Sequence, residues 1–292
     1  MDQQIISDDQ LPLVSVVIPT LNRVDYLKNC LASLIEMNYP KAKFEIVVVD
    51  NGCTDGTAQM VQQDFPEIEL IREKRKGVVF ARNTGSKRAK GAIVAYTDDD
   101  CIVDKDWIRN LVCGFVSGEI GGVGGPVFHL RPEIVPERLW CDRTRPLDLG
   151  NRKHFVKALI TGNMAVRREV FGKIRFDETL IFHQAEDIDF SRSLTDAGYK
   201  LVYTPDAVVY HDVDQRRSTM HYIIERAFFA GISKSTLDKK RAHGTLSSRP
   251  MRAFLGATFS FLRKRRVADF YWFVECFVAL ISFMFLMFAK RG

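Results

Sequence analysis

"AIVAYTDDDCIVDKDW", residues 92–107, runs a short apolar segment straight into three aspartates and then into more acid. Adjacent carboxylates repel, and drawing them even partly out of water costs more still, so water or a cation must offset them. One reading is a solvated turn that closes a strand. In it, Asp98, Asp99 and Asp100 face water, and Asp104 or Asp106 caps the helix opened by Trp107, Ile108, Leu111 and Val112. The other reading is a site, and the rest of the chain has to decide between them.

Working outward, the same apolar-strand, polar-turn, helix unit recurs. "LVSVVIP" (Leu13 to Pro19) is a β-rich run, and the stretch after it sets Leu27, Leu31, Leu34 and Ile35 at helical spacing. "FEIVVVDNG" gives a strand from Phe44 to Val49 with Asp50 at its end, then a Gly/Asn turn and a helix through Thr57, Met60 and Val61. "IELI" is a third strand, "FARNTGSKRAKG" a helix closing near Gly91, and "AIVAYTDDD" a fourth strand. This alternation predicts an α/β fold with a mostly parallel sheet covered on both faces. Ligands of such sheets bind outside the carboxyl ends of the strands. Thr20, Asp50 and Asp98 to Asp100 all fall at such ends, which favours a site over a bare turn. Further on, "GGVGGPVFHL" reads as a tight turn into a strand, Arg131 to Asn151 as loop, and "KALITGNMAV" as strand. "QAEDIDFSRSLTDAGYK" reads as a helix with Ile188, Leu194 and Tyr199 that stops at Gly198, and "LVYTPDAVVY" as the strand after it.

Spacing tests the chemistry of the aspartates. An EF-hand opening at Asp98 needs Gly in its sixth place and Glu in its twelfth, but Val103 and Arg109 stand there. A D-x-D-x-T/V phosphatase motif meets Ile102 and lies far from the first strand. Neither a P-loop nor a strand-borne G-x-G-x-x-G occurs. A D-x-D site remains: Asp98 and Asp100 flank one residue and offer hard oxygens to Mg²⁺ or Mn²⁺ shared with a diphosphate.

The ordered segments "VSVVIPTLNR", "EIVVVDNGCTDGT", "GVVFARNTG", "VAYTDDDC", "ALITGNMAVRR", "FDETL", "EDIDF" and "VVYH" resemble the family 2 glycosyltransferases, inverting enzymes of the GT-A fold, over residues 13–211. The resemblance implies roles. Thr20, Asn22 and Arg23 line the nucleotide pocket, and Asp50 accepts from the base or ribose. Asp55, Arg82 and Asn83 contact the nucleotide moiety, Asp98 lies near the ribose with Asp99 also at the donor, and Asp100 binds the metal. Asp187 is the general base with Glu186 as second choice, and His211 is a further metal contact. Arg175 precedes "FDE" where many relatives carry Gly, so the acceptor loop is expected to differ. The donor is a nucleotide-diphosphate sugar, a UDP-sugar first. The expected acceptor is lipid-linked or saccharide, with the C-terminal tail pointing to lipid, as in cell-surface polysaccharide or glycolipid synthesis. Each residue has an ordinary counterpart reading: Asp50 as a turn residue, Arg82 as a solvated helix face, and Glu186, Asp187 and Asp189 as acids complementing a helix N-terminus.

The 292-residue chain carries net +6 and is 46% apolar, enough for a large core. The charge is uneven. Residues 216–292 hold 15 Lys/Arg against Glu225, Asp238, Asp269 and Glu275, net +11, which leaves −5 for residues 1–215. An acidic body argues against nucleic acid as partner, and a basic tail suits an anionic membrane surface. Within the tail, Phe270 to Ala289 has Glu275 as its only charge and is long enough to span a bilayer; "RKRR" (Arg263 to Arg266) precedes it and "MRAFLGATFSFL" (Met251 to Leu262) suits the interface. The cysteines show no C-x-x-C spacing and "MDQQIISDDQ" lacks a secretory pattern, so a reducing cytoplasm is expected, at the inner membrane face. The expected organisation is a tail (1–12), a GT-A catalytic domain (13–215) and a basic helical tail (216–292) with a transmembrane or interfacial helix at 270–289. Two rivals remain at this point: a nucleotidyltransferase, which lacks its Gly- and Lys-bearing first loop here, and a membrane-tethered, non-catalytic carbohydrate- or nucleotide-binding protein.

Overall fold

The structure is a computed structural model that describes residues 7–134, 146–180, 185–214, 219–241, 255, 257–258, 260, 262 and 267–288. It divides into two compact units, the first comprising Met1–Leu130, Pro146–Glu178 and Glu186–Asp212, the second Arg131–Arg145, Thr179–Ala185 and Val213–Gly292.

The first unit opens with alternating strands and helices: β1 (Val14–Thr20), α1 (Val24–Ile35), β2 (Phe44–Asp50), α2 (Thr57–Asp64), β3 (Glu69–Arg72), α3 (Val78–Arg88) and β4 (Ile93–Tyr96). After the acidic turn come β5 (Cys101–Val103), α4 (Trp107–Val112), β6 (Ile120–Gly124), β7 (Val127–His129), β8 (His154–Val156), β9 (Met164–Arg167), α5 (Glu186–Asp196), β10 (Lys200–Tyr203) and β11 (Val209–His211). Among the described residues the strands form an eight-stranded sheet, β3-β2-β1-β4-β9-β6-β10-β8, and a three-stranded sheet, β5-β11-β7. Pairing is parallel from β3 through β4 and between β6 and β10, whereas β9 runs antiparallel to both its neighbours. β1 is buried throughout, and its side chains alternate between two cores. Val14, Val16 and Ile18 join Leu27, Leu31 and Leu34 of α1 in one, and Val17 joins Val47, Val49 and Val79 in the other. Both faces of the sheet are therefore covered.

β1 pairs with β2 as far as Thr20↔Asp50, but with β4 only to Val17↔Tyr96. Past that point β1 loses its β4 partner, which is where Pro19, with no N–H to give, is tolerated. The aspartates thus lie beyond β4 in a turn, with the Cys101 amide donating to the Asp98 carbonyl at 3.2 Å, and are not part of the strand.

Two sequence expectations change. The glycine run "GGVG" lies inside β6, because a Cβ on Gly121 would fall 2.5 Å from the Tyr199 side chain and one on Gly124 2.7 Å from the Asn163 carbonyl. Close packing, and not a turn, requires these glycines. "LVYTPDAVVY" is two strands in different sheets, β10 and β11. Residues 135–145 of the expected Arg131 to Asn151 loop lie outside the described residues.

The second unit contains α6 (Met220–Arg241) and α7 (Val267–Phe288). Ile223, Ala227, Ala230 and Tyr271 form a small core, and a Cβ on Gly231 would fall 2.6 Å from the Glu275 carbonyl, so the two helix backbones approach closely there. Among the described residues no helix is long and apolar enough to cross a membrane. Arg263 to Arg266 lie outside the described residues, as does most of Met251 to Leu262.

Candidate active site

Three connected groups of side chains stand at the carboxyl ends of β1, β2 and β4 and at the start of α5. The first joins the turns after β1 and β2. Asp50 Oδ1 accepts from the amides of Gly52 (2.9 Å) and Cys53 (2.6 Å), the hydrogen bonding of an Asx turn, with Gly52 at φ +101°. Asn22, itself at φ 54°, accepts through Oδ1 from the Thr54 amide at 2.7 Å. Asp55 accepts from the amides of Val24 (3.0 Å) and Thr57 (3.1 Å) and from the Thr57 hydroxyl (2.5 Å). Burial would raise the Asp55 carboxyl, but the bonds from Thr57 and Val24 outweigh it and hold it below the usual carboxylate range. These three residues shape the turns after β1 and β2.

The second group is built on the acidic turn. The Thr20 hydroxyl donates to Asp99 Oδ2 (2.8 Å), and Arg23 Nη1 donates to Asp99 Oδ1 (3.2 Å) and Asp100 Oδ2 (2.5 Å). His211 Nε2 lies 3.1 Å from the same Asp100 oxygen. Antiparallel pairing that sets His211 opposite Cys101, and the Asp212 amide bonded to the Asp100 carbonyl at 2.8 Å, bring it there. Burial, Asp100 and Asp98 push the Asp99 carboxyl up to about 6, while Arg23 and Thr20 pull the other way. Burial would lower the Arg23 guanidinium, but Asp100 and Asp99 raise it above its ordinary value. No group of three or more His, Cys, Asp or Glu suited to a metal occurs among the described residues. The Asp100 carboxylate and His211 imidazole are the pair in this group that could hold a divalent ion, which would leave its other positions to water and phosphate.

The third group centres on Arg82. Its guanidinium is buried, donates from Nη1 to Glu186 Oε1 (2.8 Å) and from Nη2 to Asp98 Oδ1 (3.0 Å), and lies 5.8 Å from the Phe176 ring centre. Asp187, the next residue of α5, is buried and accepts on Oδ1 from the Ile188 amide at 2.8 Å. Asn83 turns elsewhere: its Oδ1 takes the Phe176 amide (3.0 Å) and its Nδ2 donates to the Phe176 carbonyl (2.9 Å) and Glu178 (3.2 Å). Asp104 accepts the Asp106 amide at 3.0 Å, and no side chain caps α4.

Sequence reasoning did not single out two buried asparagines on which this edge depends. Asn51 donates to the carbonyls of Glu73 (3.2 Å) and Arg75 (2.7 Å) and accepts the Gly77 amide (2.8 Å), tying β2 to the loop before α3. Asn163 accepts the Trp107 indole N–H (2.8 Å) and donates to the Pro126 (2.8 Å) and Ala207 (2.7 Å) carbonyls. A polar amide directly beside an apolar strand run was the available signal in both.

The glycosyl transferase family 2 model matches residues 15–175. Glycosyltransferase AglE of Haloferax volcanii is 32% identical over 207 residues, covering 69% of this chain and 67% of that protein. Glucosyl-dolichyl phosphate glucuronosyltransferase of the same organism is 25% identical, with 77% of each chain covered. Among solved structures, the mannosyltransferase PcManGT of Pyrobaculum calidifontis in complex with GDP-Man and Mn²⁺ superposes with TM-score 0.66 at 20% identity, covering 96% of this chain and 90% of that one. At that identity the likeness establishes the fold, which is GT-A. A family model spanning more than half of the sequence, together with the AglE relationship, establishes the rest: the chain is a glycosyltransferase and belongs to glycosyl transferase family 2.

Proposed function

We propose that the chain transfers a sugar, with inversion, from a nucleotide-diphosphate sugar to a hydroxyl of a lipid-linked or saccharide acceptor in cell-surface polysaccharide or glycolipid synthesis. The observation that carries this reading is the joint presence of a carboxylate–imidazole pair, Asp100 and His211 at 3.1 Å, and a carboxylate pair at the start of α5, Asp187 with Glu186. Inversion needs a base for the acceptor hydroxyl, stabilisation of the departing diphosphate, and alignment of the two. Asp187 takes the acceptor proton. Asp100 and His211 hold a divalent cation, whose chemistry when bound is to neutralise charge growing on the diphosphate. Thr20, Asn22, Arg23, Asp50 and Asp55 border the nucleotide, with Asp98 near its ribose and Asp99 beside it on the donor. UDP is the first donor nucleotide to test and GDP the second, since the PcManGT structure holds GDP-Man with Mn²⁺; dolichyl phosphates in the relatives' names support a lipid-linked acceptor.

The test pairs diphosphate release from a panel of nucleotide sugars, with purified protein and membranes, with ligand-induced thermal stabilisation. A nucleotide with Mn²⁺ at about 100 Kd adds roughly 2.7 kcal/mol to the folded state. Asp100→Asn is expected to lose most of that shift. An unchanged shift would remove Asp100 from the site, and stabilisation by a different nucleotide would reassign the donor.

The second part of the proposal is attachment to the cytoplasmic membrane face through residues beyond 216, supported by their +11 charge and by the apolar run of α7. Cells expressing the full chain or a truncation before Met251 are fractionated and washed at high salt or alkaline pH. A spanning helix resists both washes; an interfacial tail is released by salt, which screens surface charge within a Debye length. A full-length protein wholly in the soluble fraction would refute membrane attachment.

A further inference from the structure

Arg82 was expected to touch the nucleotide, yet its side chain is only 5% exposed and both ends of its fork are committed, to Glu186 at 2.8 Å and Asp98 at 3.0 Å. Its location is fixed from behind. One helical turn on, a Cβ at Gly85 would fall 2.3 Å from Val17 Cγ1, so α3 lies hard against β1. The neighbouring Asn83 grips the Phe176 backbone through both amide atoms, which holds the ring beside the guanidinium. Burial would lower the Arg82 guanidinium, but Asp98, Glu186 and Asp187 raise it, so the cation stays charged among three carboxylates.

We propose that Arg82 is a positioning residue of the transfer reaction: its rigid fork fixes the donor-side Asp98 and the acceptor-side start of α5, where Glu186 and Asp187 stand, at one separation. The inference rests on the transferase reading above. Geometry carries the argument: a displacement of about 1 Å between reacting groups costs on the order of 10²-fold in rate. Lysine keeps a point charge beside Asp98 but cannot reproduce the planar second bond to Glu186.

Arg82→Lys, Glu186→Gln and the double variant are compared with wild type using whichever nucleotide sugar the panel identifies. Arg82→Lys is expected to lower kcat about 10²-fold while donor KM moves by no more than about threefold. Because the pair acts as a unit, the double variant loses about as much as the worse single one. If Arg82→Lys fails to fold, Glu186→Gln carries the test beside Asp187→Asn: a smaller loss of kcat in Glu186→Gln than in Asp187→Asn, with donor KM held, supports the proposal, and a loss as large or larger makes Glu186 the base and overturns it. A rise in donor KM at unchanged kcat would make Arg82 a nucleotide contact and overturn the proposal, as would losses that multiply in the double variant. Wild-type protein inactive with every nucleotide sugar would instead sink the transferase reading and this inference with it; an active wild type with multiplying losses sinks the inference alone.

Discussion

Two arginines sit among the carboxylates of this edge, and the protein holds them differently. Arg23 precedes α1 with its side chain 38% exposed and reaches in to Asp99 and Asp100; Arg82 stands inside α3 at 5% exposure and bridges Asp98 and Glu186. Both neutralise buried acid, but only Arg82 lacks water as an alternative partner. A charge that can return to solvent is exchangeable, whereas one sealed between two carboxylates is part of the frame. The acidic turn therefore has a displaceable cation on the side where a metal and diphosphate are proposed to bind, and a fixed one on the side where α5 presents its acids.

The proposed base lies on the α5 side, and its loss gives the largest expected effect. Asp187→Asn should lower kcat by about 10² to 10⁴, with nucleotide- and Mn²⁺-induced thermal stabilisation retained, because Asp187 is proposed to act on the acceptor. Near-wild-type turnover in this variant would move the base elsewhere and leave the Arg82 cluster as purely structural.

The contrast between the arginines is next in size. Breaking a buried pair by removing one partner costs about 3–5 kcal/mol, since a charge stays uncompensated. Arg82→Gln should fall in that range by urea unfolding. In Arg23→Gln, Asp99 retains the Thr20 hydroxyl and Asp100 the His211 imidazole, and the side chain removed is 38% exposed, so the cost should be about 1–2 kcal/mol. Mn²⁺ should then stabilise the Arg23 variant at least as much as wild type, because the cation no longer displaces a guanidinium. Equal unfolding costs for the two variants would erase the distinction.

Much of this edge was legible beforehand because it follows from short-range pattern. The strand ends at Thr20 and Asp50, the all-buried β1 and the helical spacing of Leu27, Leu31 and Leu34 are local facts that folding preserves. What sequence could not supply was contact across distance. β9 enters between β4 and β6 in the antiparallel sense, and no feature of "MAVR" records its direction. Arg82 is a plausible solvated residue until α5, over a hundred positions later, supplies Glu186. Gly121 and Gly124 looked like a turn because their reason lies in Tyr199 and Asn163. Asp55 and Asn83, expected at the nucleotide, also bond backbone groups that only the folded loops bring near.

A third arginine supplies the exposed limit of the series and the smallest effect. At the end of β3, Glu73 accepts from the Arg75 amide (2.8 Å), from Arg75 Nε (3.1 Å) and Nη2 (2.9 Å), and from the Thr84 hydroxyl (2.6 Å). The Arg75 bonds come first in lowering its carboxyl from 4.5 to about 2, burial opposes them, and Thr84 adds to the lowering. The folded state thus binds this proton less readily than the unfolded chain, so the stabilisation is complete above about pH 4.5 and disappears as pH falls toward about 2. Arg75 is 52% exposed, so solvent screening reduces the contribution to on the order of 1 kcal/mol. Glu73→Gln should be less stable than wild type by that amount at pH 7, and urea midpoints of the two proteins should converge between pH 4.5 and 2.5. A difference that stays constant with pH would mean that Glu73 contributes packing and not charge, and a loss as large as that of Arg82→Gln would show that burial does not set the rank of these three arginines.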